Sequence, residues 1–474
     1  MASVGGAGDA QFRTSIDPGN KYTGTLALMF ALFFMIGFIT VMNDVLIPSL
    51  KAVFEFTEAD TAKLMLIQFC FFAAYGIMSI PSGKILQRVG YKKGLAISLA
   101  VVATGLLLFL PAASLISYPF FLFALFIVGS GLALLQVALN PYISVLGSAE
   151  TAASRLNLGG ALNSTATFIG PIIGGSIILS DCLPDIQSKV DAVQMPYIVL
   201  SVVTFLIAGI LYKSNLPVIE GHSGADVVLE GSAWRFSHLR KGAFSIFFYV
   251  GVEVAIGSLL ILYLKEPEMG GIEEKLAASL LAYYWGSAMV GRFIGSYVAR
   301  KMPAGRLIVI VSAVALILVV LSMLPVFMDS FMDINVLSMG SNCKTGEFEL
   351  GFKNVHVPVA AFLLVLVGLF NSVMWPSIFP LGINRLGKYT SSGSGFMVTM
   401  VLGGAVIPVV QGFVAKGLKI GQDAAGHEEH LFGFDGFGFK ISFLLSLVCY
   451  AYILYFGWKG HKVNEEELKA AGLQ

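Results

Sequence analysis

Side chains that could bind a cation interrupt two long apolar stretches of this chain. Asn43 and Asp44 stand together in TGTLALMFALFFMIGFITVMNDVLIPSL, where Asp44 is the only ionisable residue. Glu253 lies in a second apolar stretch, equidistant from Lys241 and Lys265. A carboxylate can bind and release H⁺, or can join other oxygens around Na⁺. Both acids are therefore candidate cation-coupling groups, and Asp44 is in addition a possible Na⁺ ligand.

A second set of side chains, mostly carboxamides, could bind a sugar. An amide donates and accepts hydrogen bonds at once, as vicinal hydroxyls require, and an indole can cover the C–H face of a sugar ring. Gln136 and Asn140 are spaced i, i+4, so they share one face of a helix. For each residue the alternative is a hydrogen bond between helices. The substrate-binding candidates are Asn43, Gln68, Gln136, Asn140, Asn157, Asn163, Asn371 and Trp375.

Each charged group also has a structural alternative. An ionisable side chain inside a bilayer costs roughly 3 kcal/mol or more, so it normally faces protein or a watered cavity. The first span could instead end at Met42, which would leave Asp44 in the outer interface. Glu253 could be a structural carboxyl bonded to a neighbouring helix. Arg292, near the end of another apolar run, is interpreted as a structural or gating contact.

Composition defines the elements that must position these side chains. The chain has 474 residues, of which 56% are hydrophobic and 12% charged, with a mean hydropathy of +0.82. A soluble domain could not bury that much apolar surface. We therefore predict an all-α membrane protein with twelve transmembrane helices in two pseudo-symmetric six-helix bundles. Spans are expected near 24–50, 62–86, 93–115, 118–147, 155–180, 194–213, 243–265, 275–299, 305–328, 356–385, 389–416 and 438–458.

The pattern of charge along the loops predicts the orientation and the division of the chain. Basic residues accumulate in alternate loops, and the positive-inside rule makes that side cytoplasmic together with both termini, in a plasma (inner) membrane. We expect a tail over 1–23, bundles over 24–213 and 243–458, a linker over 214–242 and a second tail over 459–474. The longest external loop is expected at about 329–355. Cys182 and Cys343 fall in external loops and could pair.

An internal repeat supports two related bundles. Gln136 stands five residues before Pro141 in the fourth span, and Asn371 stands five before Pro376 in the tenth. A proline removes a backbone hydrogen bond and bends its helix near the amide. The same offset in corresponding spans favours duplication around a shared cavity.

Several classes of function are excluded. The sequence holds no phosphate-binding loop, no paired Cys/His metal spacing and no Gly-x-Ser-x-Gly turn, so we predict no catalytic residues, no cofactor and no enzyme. A net charge of +1 gives no reason to expect a nucleic-acid partner. The expected partners are a small sugar, a coupling cation and the lipid bilayer, and the expected oligomeric state is a monomer.

At these residues the sequence resembles the fucose/glucose/galactose permease (fucose:proton symporter) family of the major facilitator superfamily. The resemblance runs through nearly all spans, in segments such as VMNDVLIPSLKAVF, LLQVALNPYISVLG, SRLNLGGALNS, FYVGVEVAIGSLL and GLFNSVMWPSIFPLGI. It implies two bundles that rock around a midplane sugar site, with uptake driven by a cation gradient. It also implies that Asp44 matches the family's first-helix aspartate and Asn157 its fifth-helix asparagine.

One departure points to a branch of that family. Fucose permeases carry a glutamate where this chain has Gln136, and glutamine there is similar to the glucose/galactose branch. The resemblance therefore implies a glucose or galactose symporter coupled to Na⁺ or H⁺, and it leans towards Na⁺. The alternatives are a proton-coupled permease for fucose or another sugar, an exporter of the same fold, and a membrane receptor that senses sugar without transporting it.

Overall fold

The computed structural model describes most of the chain, with gaps at the termini and in several loops. The described residues are 22–54, 61–178, 186–217, 231–264, 266, 269, 271–272, 274–342, 347–416, 419–422, 428–430 and 437–473. Within the helices, the side chains at 43–53, 61–66, 68, 149, 171–178, 186–193, 258, 261–262, 274–279 and 416 lie outside that description. Cys182 and Cys343 also lie outside the described residues, so their pairing stays a prediction.

The first bundle is built from apolar helices that pack chiefly on one another. Its helices are α1 (Thr23–Val53), α2 (Thr61–Ser114), α3 (Tyr118–Val145), α4 (Ala152–Ile178) and α5 (Ile186–Lys213). The range of α2 contains two predicted spans, and the two helices meet at a kink at Gly90. Gly90 has φ 79° and ψ 167°, a conformation that a residue with a Cβ rarely adopts.

The second bundle has more and shorter elements. Its helices are α6 (Ser237–Leu264), α7 (Glu274–Val298), α8 (Ala304–Ser322), α9 (Pro325–Met328), α10 (Val359–Asn371), α11 (Met374–Gly382), α12 (Thr390–Thr399), α13 (Gly403–Lys416), α14 (Phe439–Tyr455) and α15 (Glu465–Lys469). The tenth predicted span is broken between α10 and α11, just before Pro376. The eleventh narrows to a 3₁₀ turn over Met400–Leu402, between α12 and α13.

These helices have the lengths and composition of membrane spans. Among the described residues, 8 helical stretches are long and apolar enough to cross a membrane. One of them, Phe69–Ser114, has 46 residues and is long enough for two crossings. The helices α4, α6 and α7 add spans of 27, 28 and 25 residues that carry more polar groups. The described helices therefore follow the predicted twelve-span order.

The segment predicted as the longest external loop, at about 329–355, forms a β-hairpin together with the residues up to Pro358. Strand β1 (Phe331–Asn342) pairs antiparallel with β2 (Glu347–Pro358), and Phe331 lies opposite Pro358. A second, smaller pair consists of β3 (Lys419–Gln422) and β4 (Glu428–His430). Val355 and Val357 are buried while His356 between them is exposed. This alternation with a period of two is typical of a strand.

The two bundles meet along helix pairs near one end of the molecule. The main pairs are α4 with α7 and α2 with α12. We call this end the basic half, because Arg88, Lys93, Arg155, Lys301 and Lys388 flank the helix ends there. The opposite end, which carries β1 and β2, is the hairpin half.

The C-terminal residues fasten the basic half of the second bundle. The Glu467 carboxylate accepts a hydrogen bond of 2.7 Å from the backbone N–H of Ser237, the first residue of α6. An anion at this position complements the positive end of the helix dipole. Arg385 also pairs with Glu465, with 3.1 Å between Nη2 and Oε2. We call the segment that contains Glu465 and Glu467 the strap. It joins the start of α6, the first helix of the bundle, to the residues that follow α14, its last crossing.

Candidate functional site

Gln136 and Asn140 lie on continuous α3, one helical turn apart. The Gln136 Nε2 donates a hydrogen bond of 3.0 Å to the Tyr75 hydroxyl on α2. Gln136 is partly exposed, whereas Asn140 is buried and its Nδ2 has no partner in the described part of the chain. A buried polar atom without a partner costs free energy. Both amides thus retain capacity to bind another polar group.

Asn157 lies in α4, where the first bundle meets the second. Its Nδ2 donates to the Ala153 carbonyl at 2.9 Å, and its Oδ1 is buried without a described partner. That oxygen faces Gly295 of α7, where an added Cβ would lie 3.0 Å away. The unpaired oxygen of Asn157 therefore lies in the interface between the bundles.

Asn163 and Asn371 have amides that are bound inside their own bundles. Asn163 Nδ2 donates to the Phe33 carbonyl of α1 at 3.0 Å. Asn371, fully buried at the break before α11, donates to the Tyr284 hydroxyl at 3.1 Å and accepts from the Tyr450 hydroxyl at 2.8 Å. Such bonds hold helices together in an apolar setting.

Glu253 is an intramembrane carboxyl in a cluster of polar groups of the second bundle. Its side chain is 8% exposed, its carboxyl is hydrogen-bonded to Tyr249, and its Oε1 has no described partner. The Tyr284 hydroxyl donates to its backbone carbonyl at 2.9 Å. The positive charge of Arg292 acts on the carboxyl from α7. Because a guanidinium cation is nearby, this carboxyl is a poor ligand for Na⁺.

Arg292 also reaches the other bundle. Its Nη1 donates to the Gly160 carbonyl of α4 at 3.0 Å, while its Nε is buried without a described partner. This contact joins the bundles in the basic half, and the interpretation of Arg292 as a structural or gating contact stays a prediction. One side chain thus adjoins both the buried acid and the interface.

Trp375, a predicted site residue, and Gln411, a further polar residue of the second bundle, lie in different surroundings. Trp375 of α11 is partly buried and stacks on Phe379, with ring centroids 5.7 Å apart and 21° between the planes. Gln411 of α13 is buried and accepts a hydrogen bond of 3.3 Å from Ser446. The indole of Trp375 is therefore the more accessible of the two.

Three sequence candidates have side chains outside the described residues. The backbone at Asn43 and Asp44 is helical within α1, and that at Gln68 is helical within α2. Their predicted roles in binding and coupling stay predictions. Among the described residues, no group of 3 or more His, Cys, Asp or Glu side chains could hold a metal ion.

In the basic half, several hydrogen bonds from side chains cross between the two bundles. Besides the Arg292 bond, Ser154 donates to the Ser296 carbonyl at 2.7 Å, and Arg300 Nε donates to Ser154 Oγ at 3.1 Å. The interface is therefore closed by polar contacts, which water can replace when the bundles separate.

A proline supplies the acceptor of a further bond across this interface. Pro141 has no N–H, so the carbonyl of Val137, four residues earlier, has no partner within α3. Ser394 of α12 donates to that carbonyl at 2.8 Å, and both residues are buried. The proline was predicted to bend α3, and it has a second effect. It provides a backbone acceptor for the opposite bundle.

Sequence reasoning missed several residues that organise this region. Tyr284, Tyr450 and Ser394 are common in apolar helices, and nothing in their spacing distinguished them from packing residues. The one available signal was that a proline frees the carbonyl four residues earlier, which pointed to Val137 as an acceptor. The donor, Ser394, comes from a distant part of the chain and could not be inferred.

Two apolar bundles that meet around buried carboxamides and a buried acid define a membrane transporter. Residues 28–409 match the Major Facilitator Superfamily. The chain therefore belongs to the Major Facilitator Superfamily, and the predicted fold class is confirmed. Members of this family are transporters, so the prediction that the protein is not an enzyme is also confirmed.

Its relatives lie in one branch of that superfamily. The chain is 39% identical over 452 residues to a glucose/galactose transporter of Brucella abortus, covering 95% of this chain and 97% of the relative. It is 30% identical over 430 residues to the L-fucose-proton symporter of Escherichia coli, covering 86% and 89%. The structure of FucP in the outward conformation matches with a TM-score of 0.74 and 28% identity, covering 92% of this chain and 98% of that one. The predicted resemblance is confirmed.

Proposed function

We propose that this protein is a cation-coupled symporter that takes up glucose or galactose by alternating access. The observation that carries the proposal is the 39% identity, over nearly the whole chain, to a protein named glucose/galactose transporter. The carboxamides next to the bundle interface support a sugar as the substrate class, because they can donate to and accept from hydroxyls. Glutamine at position 136, rather than the family's glutamate, favours this substrate over fucose.

The arrangement of the bundles supports an outward-facing state. The basic half would face the cytoplasm of a plasma (inner) membrane, with both termini on that side. Its closure would then leave access from the hairpin half, as expected of a relative of FucP in the outward conformation. Sugar would enter from outside, and rocking of the bundles would break the polar contacts of the basic half and release it inside.

The sugar would bind chiefly to groups that keep free hydrogen-bonding capacity. Gln136, Asn140 and Asn157 would contact hydroxyls, and Trp375 would cover the ring. Asn43 and Gln68 remain in the proposed site because of their positions in α1 and α2 of the first bundle. Because the amides of Asn163 and Asn371 are already bonded within their bundles, we assign them the positioning of helices rather than direct contact with the sugar.

Asp44 would couple the cation and Glu253 would assist. We place H⁺ before Na⁺ because relatives that are 30% and 24% identical are named L-fucose-proton symporters. The protein would act as a monomer.

The test is uptake of labelled hexose into proteoliposomes with a pH gradient and a Na⁺ gradient imposed separately. We expect accumulation of glucose or galactose above the equilibrium level with the pH gradient. Accumulation with the Na⁺ gradient alone would reverse the choice of ion. Sugar binding without flux would overturn the transport proposal and favour a sensor.

Asp44→Asn tests the coupling residue in the same vesicles. An amide cannot cycle between charged and neutral forms, so accumulation should be lost while exchange of labelled for unlabelled sugar continues. Unchanged accumulation in this variant would remove Asp44 from the mechanism. Wild-type protein in vesicles without any gradient serves as the baseline.

A further inference from the structure

Tyr75 contacts Gln136, a residue of the proposed sugar site, and is itself buried in protein. Its hydroxyl accepts the hydrogen bond from Gln136 Nε2, and the tyrosine is only 3% exposed. Its ring packs on Phe71, with centroids 5.5 Å apart and planes at 58°. The hydroxyl is thus held at one position by the surrounding helices.

The backbones that carry this pair are themselves closely packed. At Gly129 of α3, an added Cβ would lie 2.8 Å from the Cβ of Ala74 and 3.1 Å from the Phe71 carbonyl. Ala74 is the immediate neighbour of Tyr75. Close-packed helices have little freedom to slide, so the distance between the tyrosine and α3 is fixed by the fold.

The pair lies beside the line where the two bundles meet. Gly76, next to Tyr75, faces Leu402 of the second bundle, and Val137, next to Gln136, accepts the bond from Ser394. Gln136 itself is partly exposed, although Leu135 and Val137 are fully buried. The amide therefore reaches an opening while its neighbours are sealed in protein.

We propose that Tyr75 is a positioning residue for hexose recognition, because its hydroxyl fixes the plane of the Gln136 carboxamide. This inference rests on the proposed function, in which Gln136 contacts the sugar. With one N–H bound to Tyr75, the amide presents its remaining N–H and its Oε1 in a single orientation. A donor and an acceptor fixed side by side match two adjacent hydroxyls of a hexose. Without the tyrosine hydroxyl, the Gln136 side chain can rotate freely, and it loses that conformational freedom each time a sugar binds.

Tyr75→Phe removes the hydroxyl and keeps the ring that packs on Phe71. We expect KM for equilibrium exchange of D-glucose and D-galactose to rise roughly 3- to 10-fold, the cost of ordering one side chain. The maximal exchange rate should change less than twofold, because the movement of the bundles does not involve this bond. The ratio of the two KM values should also move towards one, since a freely rotating amide discriminates less between hydroxyl orientations.

A double-mutant cycle separates positioning from general damage. In a Gln136→Ala background there is no amide to orient, so Tyr75→Phe should add no further increase in KM. Tyr91→Phe is the matched control, since Tyr91 is also a buried tyrosine of α2 and packs on Tyr142 rather than on the site. This control should keep the wild-type KM and melting temperature.

The outcomes distinguish this inference from the proposed function. A raised KM in Gln136→Ala with a wild-type KM in Tyr75→Phe would overturn the positioning role and leave the sugar site in place. Additive effects in the double variant would overturn it as well. A wild-type KM in Gln136→Ala would remove Gln136 from the sugar site, and the role of Tyr75 would fall with it.

Discussion

Gly83 of α2 lies against the backbone of α12 in the closed basic half. A Cβ added there would lie 2.8 Å from the Ser391 carbonyl oxygen and 3.3 Å from the Cα of Ser392. Ordinary contacts of a Cβ begin at 3.4 Å. Gly83→Ala therefore requires the bundles to separate by roughly half an ångström at this point. The obstacle is backbone, so it cannot move aside as the end of a side chain would.

The size of the effect follows from where the overlap occurs. An extra methyl group in a close-packed contact costs about 1–3 kcal/mol. The overlap exists only while the basic half is closed, so the cost should shift the equilibrium roughly 5- to 150-fold towards the state in which that half is open. The fraction of protein able to bind external sugar should fall in proportion, and uptake should lose apparent affinity.

The distance between spin labels at Arg88 and Lys301 reports this equilibrium. Both residues are exposed in the basic half, one on each bundle. In a cysteine-free background, we expect Gly83→Ala to enlarge the population at long distance. Added sugar should restore the short distance only partly.

Two other glycines supply controls. Nothing lies within 4 Å of a Cβ added at Gly209 of α5, so Gly209→Ala should leave the distance distribution unchanged. At Gly403 a Cβ would meet the Phe247 carbonyl within the same bundle, so Gly403→Ala should reduce the yield of folded protein instead. The reasoning would be refuted if Gly83→Ala and Gly209→Ala gave the same distribution.

Three further changes test other contacts. Ser394→Ala leaves the Val137 carbonyl without its donor in the closed state, so the same label pair should show a roughly 2- to 10-fold shift towards opening; an unchanged distribution would contradict this. Asn371→Leu removes the acceptor of the buried Tyr450 hydroxyl and should lower the free energy of unfolding by about 1–3 kcal/mol, seen as a lower melting temperature in detergent. Burial lowers the pKa of His238 below 6.5. As the pH drops below about 6.5, the histidine therefore binds a proton in the unfolded chain before it does so in the folded chain, and the melting temperature should fall. The fall should be smaller in His238→Gln than in the wild type.

The order of the crossings could be predicted from the sequence because it depends on local composition. Apolar runs of bilayer length are visible without knowledge of their neighbours. The hairpin of β1 and β2 was not predicted, because the sequence between the two spans was assigned only as a connection. The kink at Gly90 was not predicted either, since sequence alone does not reveal which single residue adopts a positive φ.

The sequence indicates which polar residues lie in which spans, but it does not indicate what each of them contacts. The types of polar residue and their spans follow from the sequence, yet the partner of each amide depends on how the helices are rotated against one another. Asn163 and Asn157 show the difference. The first amide bonds the Phe33 carbonyl of α1, whereas the oxygen of the second faces Gly295 across the bundle interface. Only tertiary packing separates these two surroundings.

The strap at the basic half has a consequence for biosynthesis. The carboxylate of Glu467 is 230 residues from the N–H of Ser237 that it caps. At about 5–20 residues per second, the ribosome adds that carboxylate roughly 10–50 s after it has made the start of α6. Until then the exposed end of that helix depends on solvent or on the insertion machinery. The second bundle can therefore reach its native arrangement only after Glu467 has been made, while the first can assemble earlier.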